Sequence, residues 1–254
     1  MKRISIGAFM PSDSSKPAAP AWRATGQFTP SLASKAGLFE ETRQFLQAYQ
    51  RLGDVAAARR VLVDGELPQR ARETRETIVK VIQQRLTRWS PPDWVLVNLA
   101  AFALDTSQAS LPSALLLHVT RQDALLYAVV QQVVVPHWYD GERILIRADV
   151  QRFLDLAQPS HPEIDGWSHA TREKLAGNVL SVLRDYGLLK GTARKEIVEP
   201  MVPDTVAEHL VRLLRAEGAD EDMIAAHPDW RLWLWDTRRI RSLLSALASR
   251  EAVV

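Results

Sequence analysis

The sequence predicts a mainly α-helical protein: an N-terminal helical bundle, a winged-helix domain with a small β-hairpin, and a C-terminal helical extension. Three observations carry this. Apolar residues recur at helical spacing from residue 38 onward. Strand-like runs are short and confined to 143–147 and 188–198. Between residues 121 and 200 the order is helix, strand, helix, longer helix, hairpin with a basic tip. The expected division is a disordered tail over 1–30, a bundle over 31–120, a winged helix over 121–202 and an extension over 203–254.

The first 30 residues hold four prolines among many Ser, Ala and Thr, too little regular hydrophobicity to fold alone. Two early cations precede a short apolar run there, but prolines follow without a clear cleavage site, so a tail is expected rather than a signal peptide.

Five helices make the expected bundle. Residues 38–51 place Leu38, Phe39, Thr42, Phe45, Leu46 and Tyr49 on one side and end at Gly53. Asp54 then caps a short helix to residue 63, and Asp64-Gly65 turns the chain. A long helix over 72–89 turns Ile78, Ile82, Leu86 and Trp89 inward and stops before Pro91-Pro92; two apolar helices follow over 93–104 and 112–119.

The winged helix is read element by element. An apolar helix over 122–135 stops at Pro136, the run 143–147 is a strand, and a helix over 148–157 has Val150, Phe153, Leu154 and Leu156 as its apolar set. The helix over 168–187 opens with Ser168 as N-cap and closes at Gly187. Its Leu175, Val179, Val182, Leu183 and Tyr186 share one stripe that must be buried. At about 100° per residue the opposite face carries Ala170, Lys174, Gly177, Ser181 and Arg184, two cations among side chains small enough for another surface to approach closely. Such a face is also found on ordinary solvated helices. A hairpin follows, with Lys190, Arg194 and Lys195 at its tip.

In the extension, a helix over 203–218, a short turn or helix over 220–226 and a last helix to residue 249 are expected. Trp230, Trp233 and Trp235 fall within six residues, with no polar face between them, so a buried strand or packing segment is expected, with a protein interface as the next reading, rather than a base-stacking platform.

A formal charge of +2 is too small for a general polyanion binder, so nucleic-acid arguments rest on local distribution. Residues 51–88 hold nine Lys or Arg against five acids, and 168–200 hold six against four. A secondary basic surface is expected from Arg59, Arg60, Arg70, Arg72 and Arg75, although helix faces commonly carry arginine for solubility and i,i+4 pairing, as Arg72 with Glu76 would. Without cysteine there is no disulfide, thiolate metal site or thiol nucleophile. The six histidines form no metal-ligand spacing, no nucleophile motif is present, and Gly187–Thr192 lacks phosphate-loop spacing. No enzyme activity, metal or cofactor is therefore expected. No apolar run approaches the roughly 20 residues of a membrane span, and the cytoplasm is the expected location.

A family resemblance accompanies this reading. Phe28-Thr-Pro-Ser31-Leu32 and Gly37-Leu38-Phe39 with Glu41-Thr42 resemble the N-terminal pattern of BrxA, a small component of BREX phage-defence systems. The likeness continues through Arg147-Ala-Asp149-Val150, His161-Pro-Glu163, Trp167-Ser168, Thr171-Arg172, Lys174-Leu175 and Tyr186-Gly187-Leu188-Leu189, spanning about residues 28–240. Ala36-Gly37 stands where the family pattern tends to have two glycines. The resemblance implies a non-catalytic DNA-binding protein, with a helical domain similar to the NusB fold before a winged helix. Family members are sometimes described as inner-membrane proteins, for which this sequence offers no apolar span. The family's helix-start pattern falls on Ser168, Thr171, Arg172 and Lys174; Ser181 and Arg184 and the tip residues Lys190, Arg194 and Lys195 come from the residue reading. Double-stranded DNA is the expected partner, with other BREX components possible. The alternatives are an assembly module docking other defence proteins, and RNA binding through the Arg-rich bundle.

Overall fold

Residues 26–251, apart from 107 and 193, are described by a computed structural model. Most of the tail expected over 1–30 therefore lies outside the described residues.

Helix ends fall where the sequence supplies the means to end them. Helices α1 (Ser31–Ser34) and α2 (Phe39–Leu52) come first, and α2 closes on Gly53 at φ 68. The Asp54 carboxylate accepts the Ala57 N–H at 2.6 Å and starts α3 (Val55–Val61). That helix widens into a π turn, Leu62–Glu66, with Gly65 at φ 148, a conformation only glycine enters without strain. Arg75 then donates to the carbonyls of Val63 (2.7 Å) and Gln69 (2.6 Å), closing the loop that leads into α4 (Arg72–Thr87). Helices α5 (Asp93–Leu104) and α6 (Ser110–Gln122) complete the bundle. Its core is apolar: Phe45, Leu46, Ile82, Leu99 and Leu115 have no exposed surface.

The next helix departs from expectation at its end. It runs as α7 (Ala124–Val129), a π turn (Val130–Val134) and α8 (Val135–Tyr139) without leaving helical geometry, passing the proline expected to stop it. Pro136 has no N–H and crowds the carbonyl four residues back; the π turn just before it accommodates both.

Strand β1 (Ile144–Leu145), α9 (Arg147–Ala157), two 3-10 turns (Gln158–Ser160 and Pro162–Gly166), α10 (His169–Asp185), β2 (Leu189–Lys190) and β3 (Lys195–Ile197) follow. The sheet order is β1-β3-β2, all antiparallel, with Ile144 opposite Glu196 and Leu189 opposite Ile197. This is the expected order of helix, strand, helix, longer helix and hairpin, with β3 lying between β1 and β2. Strands this short gain little from their own ladder. The hairpin is held instead by Leu188, Leu189 and Ile197, each at most 2% exposed. All five apolar-stripe residues of α10 are fully buried, as expected. In α9 the expectation fails at one position: Leu156 is 76% exposed, because the helix gives way to a 3-10 turn within one turn of it and the core lies on the side of Val150, Phe153 and Leu154.

The extension comprises α11 (Asp204–Ala216), α12 (Glu221–Ala225), a 3-10 turn (Pro228–Trp233) and α13 (Thr237–Glu251). The tryptophan segment is a packing element, yet no strand. Trp230, Trp233 and Trp235 lie 5.5–5.9 Å apart, and Trp230 and Trp233 donate their indole N–H groups to the carbonyls of Ile224 and Ser113.

Two buried polar clusters fasten this extension to α6. Arg121, 2% exposed, binds the Glu217 carboxylate at 2.5 and 2.6 Å and Asp229 at 3.1 Å, and Asp229 also accepts from the Tyr127 hydroxyl. One turn earlier on α6, His118 faces His209 of α11 with 2.8 Å between their Nε2 atoms, and Asn98 of α5 meets the other ring nitrogen of His209 at 3.1 Å. Buried apolar residues form one continuous cluster from Phe28 to Leu243.

Candidate nucleic-acid interface

Helix α10 and the hairpin carry most of the residues singled out from sequence, and the structure separates those residues into free cations and structural ties. Ser168 is the N-cap: its hydroxyl accepts the Thr171 N–H at 3.2 Å and lies 2.9 Å from the Thr171 hydroxyl. Lys174 is exposed and has no carboxylate partner among the described residues. Arg172 is different. Its guanidinium donates to the Ile164 carbonyl at 3.0 Å and lies 3.6 Å from Asp155, tying α10 to the preceding 3-10 turn and to α9.

Further along α10 the outward face narrows. Ser181 bonds back to the Gly177 carbonyl, and Arg184 pairs with neighbouring Asp185 at 2.7 Å; both are half-buried. Gly177 is covered: a Cβ there would stand 3.1 Å from the Nε of Arg147, which reaches over from the start of α9. On the other flank lies the segment 28–38. Asn178 donates to the carbonyls of Leu32 (2.7 Å) and Ala33 (3.2 Å), and Tyr186 donates to that of Gly37 (2.6 Å). Arg85 of α4 binds the carbonyls of Lys35, Ala36 and Gly37 from behind, so the segment is sewn to bundle and α10 at once. Gly37 is required by closeness, since a Cβ there would meet the Asp185 carboxylate oxygen at 2.7 Å. At the segment's start, the Phe28 ring stacks on His161 at 3.5 Å and its N–H donates to Glu163. The open part of the helix is thus its N-terminal half, with Ala170, Glu173 and Lys174 exposed.

At the hairpin, Arg194 is exposed without a carboxylate partner among the described residues, whereas Lys190 pairs with Glu196 at 3.2 Å. Lys195 does not stand at the tip. It is 8% exposed and its ammonium donates to the Gly191 carbonyl at 2.9 Å; burial, together with the Arg184 charge, lowers its pKa. The alternation of side chains along β3 turns this position inward.

The expected secondary surface also divides. Arg59, Arg60 and Arg70 are exposed without carboxylate partners among the described residues. Arg72 is bound by Asp64 (2.9 Å) and Glu76 (3.0 Å), and Arg75 is spent on the loop carbonyls.

Sequence reading missed Asn178, Arg147 and Arg85 as residues that frame α10. Only Asn178 left a signal, a lone amide beside the apolar stripe. Among the described residues no group of three or more His, Asp or Glu could hold a metal ion, and no helix is long and apolar enough to cross a membrane.

Comparison with known proteins adds a family. No curated protein matches the chain. A solved structure, the crystal structure of an uncharacterized protein from Magnetospirillum magneticum, superimposes with a TM-score of 0.60 at 16% identity, covering 75% of this chain and 95% of that one. At that identity the likeness is one of fold. The family model for BrxA matches residues 26–213, from the segment sewn onto α10 to the last turn of α11. The chain, matched over most of its length, belongs to the BrxA family.

Proposed function

We propose that this BREX-associated chain is a cytoplasmic, non-catalytic DNA-binding accessory protein that engages duplex DNA through α10 and the β2–β3 hairpin. The observation that carries the reading is the winged-helix order with strand pairing β1-β3-β2, in which Lys174 on α10 and Arg194 on the hairpin are both exposed and unpaired among the described residues. In such an arrangement the first turns of the helix enter the major groove and the wing touches the backbone. Ala170, Glu173 and Lys174 occupy those turns here, and Lys190 and Arg194 flank the wing. Arg172, Ser181 and Lys195 support this surface from within.

The test is fluorescence anisotropy with labelled duplex DNA, duplex RNA and single-stranded DNA at several salt concentrations, comparing the native chain with Lys174→Ala/Arg194→Ala. Salt-sensitive duplex-DNA binding that weakens in the variant is expected. Equal binding by the variant, or preference for RNA, rejects the reading.

A second reading, an assembly module, rests on α5. Its face Val97 (49% exposed), Ala101 and Leu104 (56% exposed) is apolar and open, and no residue from Trp94 to Leu104 is charged. A stable complex with another BREX component that is lost in Val97→Asp would favour it.

A further inference from the structure

A cleft lies away from α10. About 590 Å³ in volume, it opens between the C-terminal half of α4, the corner joining α6 to α7, and residues 26–34. Pockets of this size suit small organic ligands. Its walls carry a specific combination: the guanidinium of Arg88, the indole of Trp89, the amides of Gln84 and Gln122, the carboxylate of Asp123 and the hydroxyl of Ser34.

Each group's engagement elsewhere sorts what is left for a ligand. Asp123 is committed, accepting the Leu126 N–H at 2.9 Å and the Ser31 hydroxyl at 3.2 Å. The neighbouring Arg85 is committed to three backbone carbonyls. Arg88 is exposed and has no carboxylate partner among the described residues. Trp89 is half-buried, its ring backed by His118 at 6.0 Å, and its indole N–H, shielded from solvent, has no partner among the described residues. Buried indole N–H groups normally have one. Arg85 and Arg88 against Asp123 leave the cleft positive by one charge. An uncommitted guanidinium suits a phosphate. A backed aromatic ring beside free amides suits a planar heterocycle with hydrogen-bonding edges.

We propose that this cleft is a nucleotide-binding site, with the phosphate on Arg88 and the base against Trp89, Gln84 and Gln122. The assignment does not rest on the DNA-binding reading. The lining also includes Ser31 and Ser34 of α1, the helix whose carbonyls Asn178 binds from α10.

Thermal unfolding of the full chain with AMP, ATP, GMP or inorganic phosphate tests it, with no DNA present. A nucleotide at ten times its Kd should raise Tm by about 3 °C. Arg88→Gln, at an exposed position where folding is unaffected, should weaken nucleotide binding about tenfold or more. Trp89→Phe, which keeps a ring but removes the indole N–H, should weaken nucleotide binding also. No shift with any nucleotide up to millimolar concentration overturns the proposal. So does equal binding by Arg88→Gln, or an equal shift from inorganic phosphate alone, which would mark an adventitious anion site.

Discussion

Acid should unfold this protein through one pair of histidines. His118 and His209 are 1% and 2% exposed, and burial is the leading reason both pKa values fall. His118 is lowered further by His209 and Arg121; His209, lowered to about 3, is influenced also by Arg121 and Arg212. Both rings are therefore neutral in the folded chain well below the ordinary histidine value of about 6.5. The unfolded chain takes up a proton at each below that value, so stability is complete above it and lost as pH falls. Between about pH 7.5 and about pH 5 the charging of His209 costs about 2 kcal/mol, and His118 adds to it in the same direction, out of a total that is typically 5–15 kcal/mol. Less than half of that loss falls above about pH 6, so the fall steepens on the acid side. Urea unfolding at these three pH values, with the native chain beside His118→Gln/His209→Gln, isolates the pair from other titrating groups by difference. The double variant, whatever its absolute stability, should lose at least about 2 kcal/mol less over the range. The same pH dependence in both proteins would refute the reasoning.

Three further outcomes follow from the contacts. Lys174→Ala and Arg194→Ala should each reduce the slope of log affinity against log salt for duplex DNA by about one, without changing Tm. Arg172→Met should lower stability by about 1–3 kcal/mol in urea unfolding, because the charged donor to the Ile164 carbonyl and the tie to Asp155 are both lost, while the salt slope stays as it was. Arg121→Met should be the most damaging, about 3–5 kcal/mol, since it leaves the Glu217 and Asp229 carboxylates without their shared cation; calorimetry showing an unchanged Tm would contradict the buried network.

The segment 28–38 gives α10 its setting. Because Arg85 holds its carbonyls from the α4 side while Asn178 and Tyr186 hold them from the α10 side, movement of α10 against α4 would break bonds on one side or the other. Burial of Phe28 against His161 and Phe153 extends the same attachment to α9.

Local signals in the sequence determined most of the elements. Asp54, Ser168 and Asp220 start helices because a short oxygen-bearing side chain can meet a free N–H three residues on, and Gly53, Gly187 and Gly218 follow helices because glycine reaches positive φ without penalty. The apolar stripe of α10 determined which side of that helix is buried. Sequence spacing could not determine what happens on the other side, because partners there come from far along the chain. The 146 residues separating Leu32 from Asn178 carry no periodicity that links them. The same holds for Arg121 with Glu217 and His118 with His209, which only the packing of α11 on α6 brings together. Charge was legible as composition, but which cations remain free was decided in three dimensions. Lys174 and Arg194 are left to solvent, while Arg172, Arg75 and Lys195 are drawn onto backbone carbonyls.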